Sequence, residues 1–248
     1  MNKVLIVTGG GRGIGAATAQ LASERGYAVC VNYRKNRASA EAVVAGIEAV
    51  GGKALAVEAD VALEADVVRL FETVDAALGP LTALVNNAGI LERQTRVDDI
   101  DAARIDRVFG TNVRGAFLCA REAVRRLSTK RGGAGGAIVN VSSRAAQLGA
   151  PGEYVDYAAS KAAVEALTIG LGREVAAEGI RVNGVRPGII YSDIHADGGE
   201  PGRVDRLGPT LPMPRGGDPI EVARAILWLL SDEASYSTAS FIDVAGGR

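Results

Sequence analysis

A short apolar run leads directly into a glycine-rich turn, KVLIVTGGGRGIG at residues 3–15, and AATAQLASER follows at residues 16–25. The β-branched residues predict a strand over Lys3–Thr8, and Ala16–Arg25 has the pattern of a helix that Gly26 ends. A tight turn explains such glycines in isolation. Between a strand and a helix, however, glycines let a phosphate approach the backbone, and the helix N-terminus offers unpaired N–H groups. The opening segment therefore predicts a dinucleotide site.

The alternation of strand and helix continues along the rest of the chain. The remaining strands are predicted at Ala28–Asn32, Ala54–Ala59, Leu81–Val85, residues 137–142, Ile180–Val185 and Ser240–Val244. Helices are predicted at Ala38–Val50, Ala65–Leu78, Asp101–Ser128, from near Tyr157 onward, and at Glu221–Leu230. This pattern favours one doubly wound, parallel, Rossmann-like α/β domain over residues 1–248, with ligands at the carboxyl ends of the strands.

Residues 137–161 hold the candidate catalytic groups. The strand at 137–142 carries Ser143 to its carboxyl end, and Tyr157 and Lys161 follow on a helix. Side chains four residues apart share one helix face, and a nearby ammonium favours a phenolate and lowers its pKa. We therefore expect Tyr157 to act as a general acid/base and Ser143 to hold a substrate oxygen. On its own the spacing also fits an exposed tyrosine and a solvated lysine.

Other polar groups follow strands and would meet at the same edge of the sheet. Asp60 follows the third strand, Asn86-Asn87-Ala88-Gly89 follows the fourth, and Pro187-Gly188 follows the sixth. Asn112 lies inside the long predicted helix, where asparagine is mildly unfavourable, so it either faces solvent or has a buried polar role.

The end of the second strand indicates which dinucleotide is bound. The fingerprint expects an acidic residue there to hold a ribose hydroxyl, but the chain has Asn32-Tyr33-Arg34-Lys35. Arg34, with Arg12 in the glycine turn, can bind a 2′-phosphate through charge-assisted hydrogen bonds. This arrangement favours NADP over NAD. A solvated basic loop is the alternative.

The composition excludes several classes of protein. A formal net charge of −1 provides no basic field for nucleic acid. No run of residues is long and apolar enough for a membrane span, and the N-terminal apolar run is too short for a signal peptide. Cys30 and Cys119 are expected to be buried hydrophobes, without a disulfide or metal site. These features favour a cytoplasmic enzyme of small molecules.

Residues 191–217 contain six glycines and four prolines and have no sustained periodicity. We interpret them as a substrate lid, with a long surface loop as the alternative. Their polar residues fit a polar ligand or a solvated surface equally well. His195, the single histidine, is expected to be a surface residue without a role.

Taken together, the motifs resemble those of the short-chain dehydrogenase/reductase family over nearly the whole chain. The matching features are Thr8-Gly9-x-x-x-Gly13-x-Gly15, Asp60-Val61, Asn86-Asn87-Ala88-Gly89, Asn112, Ser143, Tyr157-x-x-x-Lys161 and Pro187-Gly188. The family usually continues Pro-Gly-x-x-x-Thr, whereas Ser192 stands here, which keeps the hydroxyl and loses the methyl group. The loop after Ser143 is one residue longer than in many relatives, and Ser143 remains the better candidate than Ser142.

The resemblance implies a role for each matching position. Tyr157 would be the acid/base, Lys161 would lower its pKa and bind the nicotinamide ribose, and Asn112 would place a water in a proton relay. The implied cofactor-binding residues are Gly9, Gly11, Arg12, Gly13, Ile14, Gly15, Tyr33, Arg34, Asp60, Val61, Asn87, Ala88, Gly89, Tyr157, Lys161, Pro187, Gly188, Ile190 and Ser192. No metal is implied.

The implied reaction is reversible hydride transfer between a nicotinamide and a carbonyl/alcohol pair. Candidate substrates are 3-oxoacyl thioesters, sugars and broader ketones. The alternatives are a cofactor-binding regulatory or scaffolding protein, and a dehydratase or epimerase on the same fold. The family also implies a homotetramer that pairs through the long helices.

Overall fold

The computed structural model describes residues 3–248, in which seven parallel strands form one sheet. The strands are β1 (Lys3–Val7), β2 (Tyr27–Tyr33), β3 (Ala54–Glu58), β4 (Ala83–Asn86), β5 (Gly136–Val141), β6 (Ile180–Pro187) and β7 (Phe241–Val244). Their spatial order is β3-β2-β1-β4-β5-β6-β7. β1 pairs with both β2 and β4, with Ile6 opposite Cys30 on one side and Leu84 on the other. The predicted fold class is confirmed, and the strand boundaries differ from those expected by one or two residues.

Helices cover both faces of the sheet. They are α1 (Gly13–Glu24), α2 (Arg37–Ala49), α3 (Glu64–Ala77), α4 (Ala102–Phe109), α5 (Gly115–Leu127), α6 (Ala145–Leu148), α7 (Val155–Glu174), α8 (Ile194–Asp197), α9 (Arg203–Leu207) and α10 (Pro219–Leu230). Short 3₁₀ turns lie at Val97–Asp99, Thr129–Arg131, Ala176–Glu178, Gly208–Thr210 and Asp232–Ala234. None of the helices within residues 3–248 is long and apolar enough to cross a membrane.

The hydrophobic core consists of two layers, one on each face of the sheet. Alternate residues of β1 point to opposite faces, so Leu5 and Val7 pack with α1, α2 and α10, while Val4 and Ile6 pack with α3 and α5. Strands buried on both faces are apolar along their whole length, which is why they were recognisable in the sequence. Cys30 and Cys119 are both buried, as expected, and both are free thiols.

The prediction of one α-helix over Asp101–Ser128 is wrong in its middle. One π-helical turn, Gly110–Arg114, separates α4 from α5. Asn112 lies in this wider turn and is almost fully buried. A Cβ at Gly115 would lie 2.7 Å from Val61 Cγ2, so the chain after the turn packs too closely for a side chain. Single π-turns of this kind are frequent at functional sites.

Residues 191–217 contain more regular structure than predicted, namely the short helices α8 and α9 and one 3₁₀ turn. Ion pairs hold the segment against the domain. Arg12 in the glycine turn pairs with Asp197 on α8, and Arg203 on α9 pairs with Glu153 at 2.6 Å. Glycine and proline keep the helices short but do not prevent them.

A buried ion pair joins α4 to the start of α7. Arg104 Nε lies 2.7 Å from Asp156 Oδ2, and Nη2 lies 3.1 Å from Oδ1, so the contact is bidentate. Arg104 Nη1 also donates to the Arg93 carbonyl at 2.7 Å. Because Asp156 immediately precedes Tyr157, the pair also fixes the first turn of the helix that carries the candidate catalytic tyrosine.

We predict that Asp156→Ala strongly destabilises the protein, because it leaves the Arg104 guanidinium buried without its counterion. Breaking a buried pair costs about 3–5 kcal/mol, which for a chain of this size corresponds to roughly 6–20 °C in melting temperature. The matched control is Arg37→Ala, which removes an exposed i,i+4 pair with Glu41 and should leave the melting temperature nearly unchanged. Equal effects of the two substitutions in thermal unfolding would contradict this assignment.

Candidate functional site

A cavity of about 890 Å³ runs along the carboxyl edge of the sheet, from the glycine turn to α7. Most of the predicted site residues line it: Gly9, Gly11, Arg12, Gly13, Ile14, Tyr33, Arg34, Asp60, Val61, Asn87, Ala88, Gly89, Ser143, Tyr157, Lys161, Pro187, Gly188, Ile190 and Ser192. Two predicted residues do not, Gly15 and Asn112. The sequence motifs therefore lie around one cavity, and only Gly15 and Asn112 of the predicted residues lie outside its lining.

The glycine turn is held in shape by β4. Gly9 and Gly13 have positive φ angles of 61° and 51°, which glycine adopts without strain. The Asn87 amide donates to the carbonyls of Thr8 at 2.9 Å and Gly9 at 3.1 Å. A Cβ on Gly15 would lie 2.4 Å from the Gly9 carbonyl oxygen, so glycine is needed here for close packing of the turn. Gly15 was predicted to bind the cofactor, but it does not line the cavity.

Asn32 does not occupy the ribose-facing position expected from the sequence. Its side chain is buried, and its Oδ1 accepts from Gly9 N at 3.2 Å. Its Nδ2 donates to the carbonyls of Val57 and Ala59 at 3.3 and 3.0 Å. An amide donates and accepts at once, so asparagine ties β2 to the glycine turn and to the end of β3, where a carboxylate would leave carbonyls unpaired. Asn32 and Tyr33 both line the cavity, but the buried Asn32 amide already bonds to backbone groups.

Three cations line the cavity near this wall, and they differ in their partners. Arg34 Nη1 lies 3.7 Å from Asp60 Oδ2, a loose and partly exposed pair. Arg12 pairs with Asp197. Lys35 is exposed and has no carboxylate within 4.0 Å among residues 3–248. Asn36, which caps α2 by accepting from Ser39 N at 3.1 Å, also lines the cavity here, as does Ser39. Cations and hydroxyl groups of this kind suit a phosphate.

The two serines after β5 have different environments. Ser142 Oγ is buried and donates to the Lys161 carbonyl and to Glu165 Oε1 at 3.3 and 3.0 Å. Both serines line the cavity, but Ser143 Oγ accepts from Ala145 N at 3.1 Å and so keeps its O–H for donation, next to the Tyr157 hydroxyl. The geometry therefore favours Ser143 over Ser142 as the hydroxyl that can meet a substrate.

Tyr157 and Lys161 lie together, with the Lys161 ammonium 5.7 Å from the centre of the Tyr157 ring. Burial raises the pKa of Tyr157 to about 12; the neighbouring Ser143 hydroxyl opposes this shift and Tyr154 adds to it. Burial also lowers the pKa of Lys161 to about 8. Burial therefore has the largest effect on the pKa of both groups in the protein alone.

Lys161 lines the cavity, and Asn112 lies behind the wall close to the same glycine, Gly89. The Asn112 amide accepts from Ile90 N at 2.8 Å and donates to the Ile90 carbonyl and to Ser160 Oγ, both at 2.9 Å. Lys161 Nζ donates to the Val141 carbonyl at 2.8 Å. A Cβ on Gly89 would lie 3.2 Å from Lys161 Nζ and 3.5 Å from Asn112 Oδ1, so glycine keeps this space open.

The expectation that His195 is a surface residue is wrong. The ring is buried and lines the cavity, and its Nε2 lies 3.1 Å from the Ile190 carbonyl oxygen. Burial lowers its pKa, so the ring is neutral near pH 7. Its Nδ1 has no hydrogen-bond partner among residues 3–248. A single histidine in an aperiodic segment carried no sequence signal for this burial.

Several lining residues were not found from sequence. They include Asn36, Ser39, Arg144, Leu148, Glu153, Tyr154 and Arg248. Asn36 and Ser39 lie close to Arg34 in the chain, and Arg144 adjoins Ser143, so proximity to motif residues could have indicated them. Arg248 is brought to the cavity only by the tertiary fold.

The residues of the site fit a nicotinamide dinucleotide. The cavity passes the glycine turn, where side chains are absent, and continues to Ser143 and Tyr157. The helix N-terminus at Gly13 offers N–H groups to a diphosphate. No group of three or more His, Cys, Asp or Glu side chains in the described part of the chain is arranged to hold a metal ion.

Known proteins with similar sequences are named as reductases and oxidoreductases, which agrees with a nicotinamide site. The sequence model of a family described as enoyl-(acyl carrier protein) reductase matches residues 9–248. The chain is 60% identical over 245 residues to the uncharacterized oxidoreductase YgfF of Escherichia coli, covering 99% of each chain. It is 38% identical over 247 residues to the 3-oxoacyl-(acyl-carrier-protein) reductase FabG of Staphylococcus aureus, covering 100% of this chain and 98% of that one.

Solved structures agree with the fold and the family. A short-chain dehydrogenase from Burkholderia cenocepacia, in complex with NADP, superposes with a TM-score of 0.90 at 35% identity and covers 100% of this chain and 98% of its own. A dehydrogenase/reductase from Sinorhizobium meliloti also has a TM-score of 0.90, at 33% identity, and covers 99% and 94% of the two chains. This chain therefore belongs to the short-chain dehydrogenase/reductase family and is an NAD(P)-dependent oxidoreductase.

Proposed function

We propose that the protein transfers hydride between NADP(H) and a carbonyl/alcohol substrate, with Tyr157 as the acid/base. The observation that carries the proposal is the convergence of Ser143, Tyr157 and Lys161 at one end of a cavity whose other end is the glycine turn. Bound NADPH would supply the hydride, and NADP⁺ would accept it in the reverse direction.

The proposed proton donor is the neutral Tyr157 phenol. With a pKa of about 12, it carries its proton throughout the neutral range and can give it to a carbonyl oxygen. The free Ser143 O–H donates to the same oxygen and stabilises its developing negative charge. The Lys161 ammonium, close to the Tyr157 ring, stabilises the phenolate that remains.

A proton relay through Asn112 remains part of the proposal. Asn112 holds the Ile90 backbone, and its Oδ1 lies on the same side of Gly89 as the Lys161 ammonium. A water in contact with both groups would return a proton to Tyr157 by way of Lys161.

The preference for NADP over NAD is supported by cations near the end of β2. Arg34 and Lys35 line the cavity beside Ser39, and Arg12 lies across the glycine turn. The pair between Arg34 and Asp60 is loose, at 3.7 Å, so the guanidinium can turn to a 2′-phosphate. The relatives named above fit this choice, since one was solved with NADP.

Assembly, location and lid motion are also proposed. Ile105 and Phe117 are large exposed hydrophobic residues on α4 and α5, as is Trp228 on α10, and such residues suit subunit contacts of a homotetramer. The first half of the 191–217 segment, from Ser192 to Arg203, contributes residues to the cavity lining, and the segment is proposed to be the lid. A cytoplasmic location is likewise proposed. The substrate classes remain oxoacyl thioesters, sugars and ketones.

For the proposed function, the first prediction is that Tyr157→Phe abolishes turnover while cofactor binding persists, because a phenyl ring cannot carry the proton. The matched control is Tyr154→Phe, which removes a hydroxyl that lines the same cavity and accepts from Gln94 at 2.9 Å. Stopped-flow rates and NADPH fluorescence titration measure the two quantities. The mechanism fails if Tyr157→Phe and Tyr154→Phe both retain near-normal rates.

The second prediction concerns pH. The Lys161 ammonium loses its proton as pH rises through about 8, whereas Tyr157 stays protonated to about 12. If phenolate formation needs the ammonium, kcat/KM for carbonyl reduction should be constant below this pH and fall about tenfold per unit above it. Lys161→Arg keeps the positive charge. We expect the residual kcat/KM of this variant to decline only above pH 10. A wild-type profile that stays flat to pH 10 would show that the charge is not required.

The third prediction is that the enzyme prefers NADPH to NADH and that Arg34→Ala reduces this preference. A charge-assisted contact contributes about 1.5–3 kcal/mol, which corresponds to roughly ten- to a hundredfold in kcat/KM. Lys35→Ala should act in the same direction. Arg37→Ala is the control, because Arg37 pairs with Glu41 outside the cavity lining. A wild-type preference for NADH would refute the assignment of Arg34 to a 2′-phosphate site. A preference for NADPH that is unchanged in Arg34→Ala would refute it as well.

A further inference from the structure

The part of the cavity next to Ser143 carries three arginines. Arg144 directly follows Ser143, Arg203 begins α9, and Arg248 is the last residue of the chain. All three line the cavity. The proposed hydride transfer uses none of them, so their charges call for another explanation.

Two of these arginines already have anionic partners. Arg203 is buried and lies 2.6 Å from Glu153 and 2.8 Å from Glu200. Its guanidinium also lies over the Tyr154 ring, 5.2 Å from the centre. Arg144 Nη1 lies 3.1 Å from Asp243. Arg144 and Arg203 thus form ion pairs that stabilise the cavity wall, and this explains their charges.

Arg248 has no such partner. No carboxylate of another residue within 3–248 forms an ion pair with its guanidinium, within a limit of 4.0 Å. Its backbone is nevertheless fixed, because Arg144 Nε donates to the Arg248 carbonyl at 2.7 Å and Arg248 N donates to the Ala245 carbonyl at 3.2 Å. The structure therefore holds the Arg248 guanidinium at the cavity wall without an Asp or Glu partner from residues 3–248.

The electrostatic surroundings favour an anion at this place. Burial lowers the pKa of Arg248, and the charges of Arg203 and Arg144 lower it further, while Glu153 acts in the opposite direction. Elsewhere in the cavity Glu92 pairs with Arg107, and the exposed Asp193 on the 191–217 segment lies beyond ion-pair distance of Arg248. Because Arg144 and Arg203 are already paired with acids, Arg248 is the arginine of the three to which a carboxylate of the substrate could bind.

We propose that the substrate is an oxo acid, and that Arg248 binds its carboxylate while Ser143 and Tyr157 bind its carbonyl oxygen. This inference rests on the proposed function. Arg144 joins the two sites, since it follows Ser143 in the chain and holds the Arg248 backbone. Leu148 and Ala150, which line the cavity nearby, provide apolar surface for the body of the substrate. In the reaction, hydride adds to the carbonyl carbon and the Tyr157 proton goes to its oxygen, which gives the hydroxy acid and NADP⁺.

The test compares an acid with its neutral ester, phenylglyoxylate and methyl phenylglyoxylate, with NADPH as the reductant. Wild type should favour the acid, and Arg248→Ala should lower kcat/KM for the acid by roughly ten- to a hundredfold, the value of one charge-assisted contact. The rate with the ester should change by less than about twofold. Arg248→Gln, which keeps hydrogen-bond donors without the charge, should behave like Arg248→Ala.

The control is Arg25→Ala, which removes an exposed arginine outside the cavity lining and should change neither rate. Equal losses for acid and ester in Arg248→Ala would mean that Arg248 only shapes the wall, and the inference would fall while the proposed function stands. A wild-type enzyme that reduces the ester and not the acid would overturn it as well.

A binding measurement separates this inference from the proposed function. Calorimetric titration of the NADP⁺-saturated protein with benzoate and benzamide compares an anion with a neutral molecule of similar shape. Tighter binding of benzoate that disappears in Arg248→Ala supports the anion site even if no carbonyl compound is turned over. Equal binding of benzoate and benzamide to wild type overturns it, whatever the reductase assays show.

Discussion

The pairing of β1 with both β2 and β4 determines where the functional groups lie. The strand order reverses at this point, which opens a crevice at the carboxyl edge of the sheet. Thr8, just after β1, donates its N–H to the Val85 carbonyl at 3.0 Å, and its hydroxyl accepts from Asn87 N and Ala88 N, each at 3.0 Å. The glycine turn and the end of β4 are therefore one hydrogen-bonded unit, and a change in one displaces the other.

The sequence was sufficient for features that depend on local pattern. Strands buried on both faces are apolar throughout, and most motif residues follow strands, so both the sheet and the gathering of Ser143 and Tyr157 could be predicted. Asn32 and Arg248 could not be placed, because their environments come from residues distant in the chain. His195 contacts Ile190, only five residues away, but its aperiodic segment gave no sign that the ring is buried. The π-turn at Asn112 was not predicted either. It is stabilised by hydrogen bonds from Asn112 to Ile90 and Ser160, and its periodicity in the sequence differs little from that of an α-helix.

Burial and charge compete at the catalytic end of the cavity, and burial is stronger. It raises the pKa of Tyr157 to about 12 and lowers that of Lys161 to about 8, so both shifts oppose the ion pair that the motif alone suggests. At neutral pH the phenol keeps its proton and the lysine remains mostly charged. Such a pair is prepared to give a proton and to stabilise the phenolate that follows, which suits carbonyl reduction.

The arginines of this fold fall into two groups: those that hold helices together and those that can bind an anion. Arg104 and Arg203 are buried, and each is neutralised by acids on other elements, so their charges hold helices together. Arg12 links the glycine turn to α8 through Asp197 and is about half exposed. Any anion bound at the turn competes with Asp197 for this guanidinium. Occupancy of the turn and the hold on α8 are consequently coupled, and by thermodynamic reciprocity whatever loosens α8 strengthens anion binding at the turn.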